Sequence, residues 1–197
     1  DPDAMHGSTS VVGYYRVPLA SVASLQIQGA PNWHGTVDVT VAASSTELVD
    51  PTPDADNTRM DTAVFHVNIT AMADAPIVSV PAATSGTEDT AISITGLSAA
   101  LADTVTANGA EVLSVKIEGV PFGSVFSTGT NNGDGSWTIP VSALATLAIT
   151  PPLNYSGTMT LTLTAIALEL ANGTEAHTSM NFDVAVAPRA DTVDILA

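Results

Sequence analysis

Met159-Thr160-Leu161-Thr162-Leu163-Thr164 alternates apolar and hydroxyl side chains one by one. Successive side chains of a β-strand point to opposite faces, so Met159, Leu161 and Leu163 fall on one side and the threonines on the other. That is a strand packed on a single face. The same period of two recurs in Val37-Asp38-Val39-Thr40-Val41 and in Phe182-Asp183-Val184-Ala185-Val186. Gly, Pro, Asn and Asp punctuate these runs at short intervals, while helix-favouring Lys, Arg and Gln are scarce. The expected fold is all-β, built of immunoglobulin-like or cadherin-like β-sandwich modules of about seven strands each.

Working outward from that strand exposes a repeat. Tyr15-Arg16-Val17-Pro18-Leu19 matches Trp137-Thr138-Ile139-Pro140-Val141 at an offset of 122 residues. At the same offset Val22 meets Leu144, Leu25 meets Leu147 and Ile27 meets Ile149. Asn32-Trp33-His34-Gly35-Thr36 meets Asn154-Tyr155-Ser156-Gly157-Thr158, and Val37, Val39 and Val41 meet Met159, Leu161 and Leu163. Phe65, Val67 and Ile69 then match Phe182, Val184 and Val186 at an offset of 117, and Asp74 matches Asp191. The first copy therefore carries five extra residues between its last two strands, in the loop from Glu47 to Met60.

The repeat sets the expected domain organisation. Ala73-Asp74-Ala75-Pro76 reads as a linker, because Pro interrupts strand pairing and favours an extended dipeptide. Residues 76–190 are expected to form a complete sandwich repeat. Residues 1–75 are expected to be the C-terminal part of another, and residues 191–197 a linker and the start of a third. Nothing in residues 1–75 corresponds to Pro76 through about Val125. Half a sandwich leaves an apolar face and sheet edges open. Three explanations stand side by side: the chain is a fragment, the missing strands come from another chain, or another domain is inserted into a split module. Within the complete copy, strands are expected near 77–80, 91–95, 112–118, 124–126, 136–139, 158–168 and 179–187. A helical turn or a crossover between sheets is expected over 141–147.

Charge excludes several functions. Twenty acidic residues face four basic ones, Arg16, Arg59, Lys116 and Arg189, for a net charge of −16. No basic patch exists to neutralise phosphates, so nucleic acid and anionic lipid are not expected partners. A chain this acidic repels itself unless salt or bound cations screen it, which points to a cation-rich exterior; a surface kept soluble by charge is the plainer alternative. There are no cysteines, hence no disulfides and no thiolate metal site. No window resembles a membrane-spanning segment and no signal peptide opens the sequence, so membrane insertion is not expected.

A set of phrases in fixed order carries a family resemblance. They are Gly86-Thr87-Glu88-Asp89-Thr90-Ala91, Glu111-Val112-Leu113-Ser114-Val115, Gly119-Val120-Pro121, Asn132-Gly133-Asp134-Gly135-Ser136-Trp137 and Pro152-Leu153-Asn154-Tyr155-Ser156-Gly157-Thr158, with Ala73-Asp74-Ala75-Pro76 between copies. Together they resemble the extender repeats of large RTX-type adhesins of Gram-negative bacteria. The resemblance implies cadherin-like sandwiches in tandem, exported by type I secretion and held at the outer membrane. It implies an extracellular, cell-surface location, and a stalk that displays a ligand-binding region carried elsewhere. It also implies Ca2+ at the module junctions, with neighbouring modules of the same chain as partners. Some members carry a ligand-binding domain inserted into a split repeat.

Calcium takes six to eight oxygens from carboxylates, carbonyls and water. For a junction site the linker acids are Asp74 and its repeat mate Asp191, and the loop candidates are Glu88, Asp89, Asp103 and Glu111. Glu88-Asp89 reads equally as a solvated turn. The stretch from Thr104 to Gly109 is neutral where family members often carry acids. Asp50, Asp54 and Asp56 lack the Gly and closing Glu of an EF-hand loop and read as a polar insertion, and Asp134 reads as a turn residue. His6, His34, His66 and His177 do not fall at metal-ligand spacing. Trp33 and Tyr155 share a repeat position and read as core or corner aromatics. No nucleophile elbow, phosphate loop or dinucleotide turn is present, so an enzyme is not expected. The leading expectation is a structural extender. The alternative is a ligand-binding module for glycan or peptide, either in its own right or as a split domain carrying an inserted one.

Overall fold

A computed structural model describes residues 15–31, 33–47, 58–102 and 111–191. The described chain is mostly β-strand, with two short 3-10 turns as its helical content. It divides into two compact units, the first ending at Ala71 and the second opening at Met72.

In the first unit a 3-10 turn, Leu19–Ser24, precedes a long antiparallel hairpin of β1 (Gly35–Thr46) and β2 (Thr58–Ile69). The second unit runs β3 (Ile77–Ser79), β4 (Thr84–Thr87), β5 (Ile92–Ser93), β6 (Ser98–Ala100), β7 (Glu111–Glu118), β8 (Val125–Phe126), β9 (Thr130–Asn131) and β10 (Trp137–Thr138). A 3-10 turn, Val141–Thr146, follows, then β11 (Ala148–Thr150), β12 (Gly157–Glu169) and β13 (Glu175–Ala187). One sheet has the order β4-β13-β12-β7-β10-β9, a second β5-β11-β8, and β3 pairs with β6. All pairings are antiparallel except β4 on β13.

The period of two explains the core. Met159, Leu161 and Leu163 of β12, Val115 and Ile117 of β7, and Phe182, Val184 and Val186 of β13 are all buried. They join Ile92, Phe126 and Ile149 from the second sheet in one cluster, so the apolar faces of the two sheets close on each other. Trp137 meets Phe126 edge to face, with ring centroids 5.5 Å apart.

The two copies share a hairpin register and a turn. β1 pairs with β2 so that Val39 faces Phe65, and β12 pairs with β13 so that Leu161 faces Phe182. Both offsets found in the sequence are present in that one match. The two 3-10 turns begin after Pro18 and Pro140, which have nearly the same angles (φ −58°, ψ 138° and φ −59°, ψ 132°). Gly35 and Gly157, which open the matching strands, have φ of 142° and 133°, a region that favours glycine.

Several local expectations change. The 141–147 stretch forms the 3-10 turn, with Leu144 buried beneath it. Strands β4, β6, β9 and β11 add to the seven expected positions; each is only two to four residues long, too short to show a period. The Ala73-Asp74 segment is hydrogen-bonded to the second unit. The Ala73 amide donates to Thr174 Oγ1 at 3.2 Å, the Asp74 amide donates to Glu111 Oε1 at 2.7 Å, and Ala73 and Pro76 are buried. No helix among the described residues is long and apolar enough to cross a membrane.

Candidate cation sites at the two ends of the second unit

β12 and β13 form a hairpin whose turn lies at one end of the unit. Asn172 Oδ1 closes that turn by accepting from the Thr174 amide at 3.0 Å and from Thr174 Oγ1 at 2.8 Å. Glu111 opens β7 and stands directly opposite Glu169, the last residue of β12. Directly opposed residues of an antiparallel pair share a face and lie about 5 Å apart at Cβ. Glu169 is buried, and its Oε1 accepts from the Ala171 amide at 2.8 Å. Glu111 Oε1 accepts from the Asp74 amide, while its Oε2 is buried with no hydrogen-bond partner. Like charges directly opposite one another in a ladder are destabilising, and a buried carboxylate oxygen without a donor is costly. A cation against the free oxygen relieves both.

The other end is organised differently. Parallel pairing of β4 with β13 places Ala187 beside Thr87. Glu88 follows, with its amide donating to the Ala187 carbonyl at 3.0 Å and its Oε1 accepting from the Arg189 amide at 2.5 Å. Glu88 is therefore buried against the chain exit rather than forming a solvated turn. Asp89, at φ 58°, accepts at Oδ1 from the Asn154 amide at 2.9 Å, tying two loops together. Asp191 lies two residues beyond Arg189 and is exposed.

The six sequence candidates thus separate. Asp74 and Glu111 gather at one end, and Glu88, Asp89 and Asp191 belong to the other. Thirteen residues of β13 span the distance between them, about 40 Å at about 3.3 Å per residue. One ion cannot take ligands from both. Asp103, and likewise Asp50, Asp54, Asp56 and His6, lie outside the described residues. Among the described residues, no group of three or more His, Asp or Glu side chains comes together as a ready metal cage.

Glu169 was not among the sequence candidates. Two signals mark it: the 122-residue offset pairs it with Glu47, and β-pairing sets it opposite Glu111.

The remaining polar clusters have structural roles. Asp134 Oδ1 accepts from Ser136 Oγ at 2.5 Å and from the Ser136 amide at 3.0 Å, which closes the turn between β9 and β10. The Ser136 hydroxyl bond, more than any other cause, holds the Asp134 carboxyl below its ordinary range. Lys116 Nζ lies 2.9 Å from Glu118 Oε1. Hydrogen bonds from Lys116 first, and then from Thr164, lower the Glu118 pKa; the bond to Glu118 raises that of Lys116. Tyr155 donates its hydroxyl to the Thr158 carbonyl at 3.1 Å and packs against the core, a corner aromatic as expected. His66 Nδ1 meets Asp38 Oδ1 across the β1–β2 ladder, and His177 Nε2 meets Glu175 at 3.3 Å. An open cleft near β10 is lined by Leu113, Val115, Thr130, Ile139 and Val141, none of them titratable.

No family model matches the chain, and no curated protein does either. Among solved structures it is weakly similar to zebrafish RET cadherin-like domains 1 to 4, at 13% identity and a TM-score of 0.20, over 78% of this chain and 34% of that one.

Proposed function

We propose that this chain is a structural extender of a secreted bacterial cell-surface adhesin, a non-catalytic piece of a tandem cadherin-like sandwich array stiffened by Ca2+ where modules meet. The observation that carries the proposal is the pair Glu111 and Glu169 at the end of the unit where the chain enters, with one carboxylate oxygen buried and unpartnered. The entering segment is tied to Glu111 through the Asp74 backbone amide. Oxygen donors of this kind suit a hard cation such as Ca2+ better than a soft one. Glu88, Asp89 and Asp191 form the corresponding acidic exit, where a following module would supply further ligands. Acids placed at both ends of a repeated unit suit an array in which each module contacts its neighbours. The net charge of −16 suits an exterior rich in cations.

Thermal unfolding in millimolar CaCl2 and in EDTA tests this reading. Calcium raises the Tm if the ends bind it, because a ligand bound only to the folded state adds RT ln(1 + [L]/Kd) to stability. Identical melting curves in the two conditions contradict it.

A further inference from the structure

The chain enters and leaves the second unit at opposite ends of β13. It enters through Ala73 and Asp74, whose amides are bonded to Thr174, just before β13, and to Glu111. It leaves beyond Ala187, the last residue of β13. In chain order β4 is the first strand of the six-stranded sheet and β13 is the last. The two lie side by side in parallel, Thr84–Thr87 on Val184–Ala187, so both run from the entry end to the exit end. A pull on the chain draws β4 back from its first residue and β13 forward from its last. The strands then part only by sliding past one another. Their evenly spaced bonds are loaded together, not broken in turn as in a hairpin opened from its free end.

The inner side of this ladder is closed to water. Thr84, Glu88, Val184 and Val186 are buried. Gly86 lies so close to Ile92 that a Cβ would come within 2.5 Å of its Cγ1. Hydrogen bonds shut away from water are stronger and are not readily exchanged for bonds to solvent. Glu88 also lengthens the ladder. Its amide donates to the Ala187 carbonyl at 3.0 Å. The next residue, Pro188, has no amide proton to give. Glu88 Oε1 accepts from the Arg189 amide at 2.5 Å, which carries the pairing past the proline.

We propose that β4, the end of β13 and the Glu88 carboxylate form a shear clamp, which resists a pull along the chain without any bound cation. Glu88 is its positioning residue, because it holds the outgoing segment in line with β4. The clamp rests on the extender reading only for the source of the pull. Melting curves alike in calcium and EDTA would sink the calcium site and leave the clamp standing.

The test pulls single molecules of the full chain, in EDTA, in two directions. The chain has no cysteine, so an introduced pair supplies the only thiol handles. Handles at Ala75→Cys and Asp191→Cys load the ladder in shear. Handles at Ala83→Cys and Asn181→Cys, both beside its first residues, peel β4 away. Both pairs lie in the second unit, so the first carries no load. Forced unfolding follows the barrier to opening, and the shear direction is expected to need about twofold more force or higher. Glu88→Ala lowers the shear force toward the peel value, and Glu88→Gln, which can still accept from Arg189, keeps it. Leu144→Ala, a core truncation in the 3-10 turn, lowers thermal stability but leaves the ratio of the two forces unchanged. Equal forces in the two directions overturn the proposal. So does a Glu88→Ala chain that keeps the full ratio, or a ratio that appears only when calcium is added.

Discussion

Shortening Leu163 and shortening its repeat mate Val41 have very different consequences. Leu163 sits mid-strand in β12, between Met180 of β13 and Ile117 of β7, with none of its surface exposed. Leu163→Ala removes three buried carbons and leaves a cavity that its neighbours only partly fill. The cost is about 2–5 kcal/mol, the range for such truncations in packed cores. Val41 holds the same position in β1, but 48% of it is exposed. Val41→Ala is expected to cost about 0.5 kcal/mol, as for surface changes with little packing to lose. Native-state hydrogen exchange resolves the two strands in one experiment. A loss of about 3 kcal/mol makes β12 amides exchange about a hundredfold faster, while Val41→Ala changes β1 by about threefold or less. Equal effects at the two positions would refute the reasoning, because they would mean that the first unit's apolar face is already covered.

Gly86→Ala should destabilise the second unit by about 1–3 kcal/mol, since a Cβ there would lie 2.5 Å from Ile92 Cγ1 and over-pack the joint between β4 and β5; urea unfolding followed by Trp fluorescence measures it. Asp134→Ala should loosen the β9–β10 turn by removing both bonds to Ser136, seen as faster exchange at Gly133–Ser136, whereas Asp134→Asn, which can still accept, should do so less. Glu118, lowered from 4.5 chiefly by Lys116, stabilises the fold fully above the unfolded value and loses that contribution as pH falls through its folded value; a carboxyl NMR titration should show a midpoint below 4.5. Lys116, raised from 10.5, contributes fully below 10.5 and loses its contribution as pH rises through the raised value, so the pair should add a stability plateau between the two limits.

What the sequence could reveal depended on distance along the chain. β7, β12 and β13 are long enough for the period of two to show, and β1–β2 followed from the repeat. β4 was hidden because Thr84-Ser85-Gly86-Thr87 alternates nothing apolar; only its parallel pairing with β13 makes it a strand. The same pairing decides where Glu88 lies. Its hydrogen-bond neighbours are Ala187 and Arg189, about a hundred residues away along the chain. Asp74 and Glu111 were both legible as acids, but their hydrogen bond required β7 to start at Glu111. Glu169 was overlooked because it interrupts an apolar run, Ala165 to Ala171, and its place opposite Glu111 emerges only with the strand pairing.

The most direct test of the proposed function is a calcium titration of the isotopically labelled chain, watched amide by amide. The account predicts saturable shifts concentrated at Ala73, Asp74, Glu111, Glu169, Ala171 and Thr174, abolished by Glu111→Gln in a protein that still folds. Amides that stay still through millimolar calcium, or that drift uniformly over the acidic surface and are unaffected by Glu111→Gln, would contradict it.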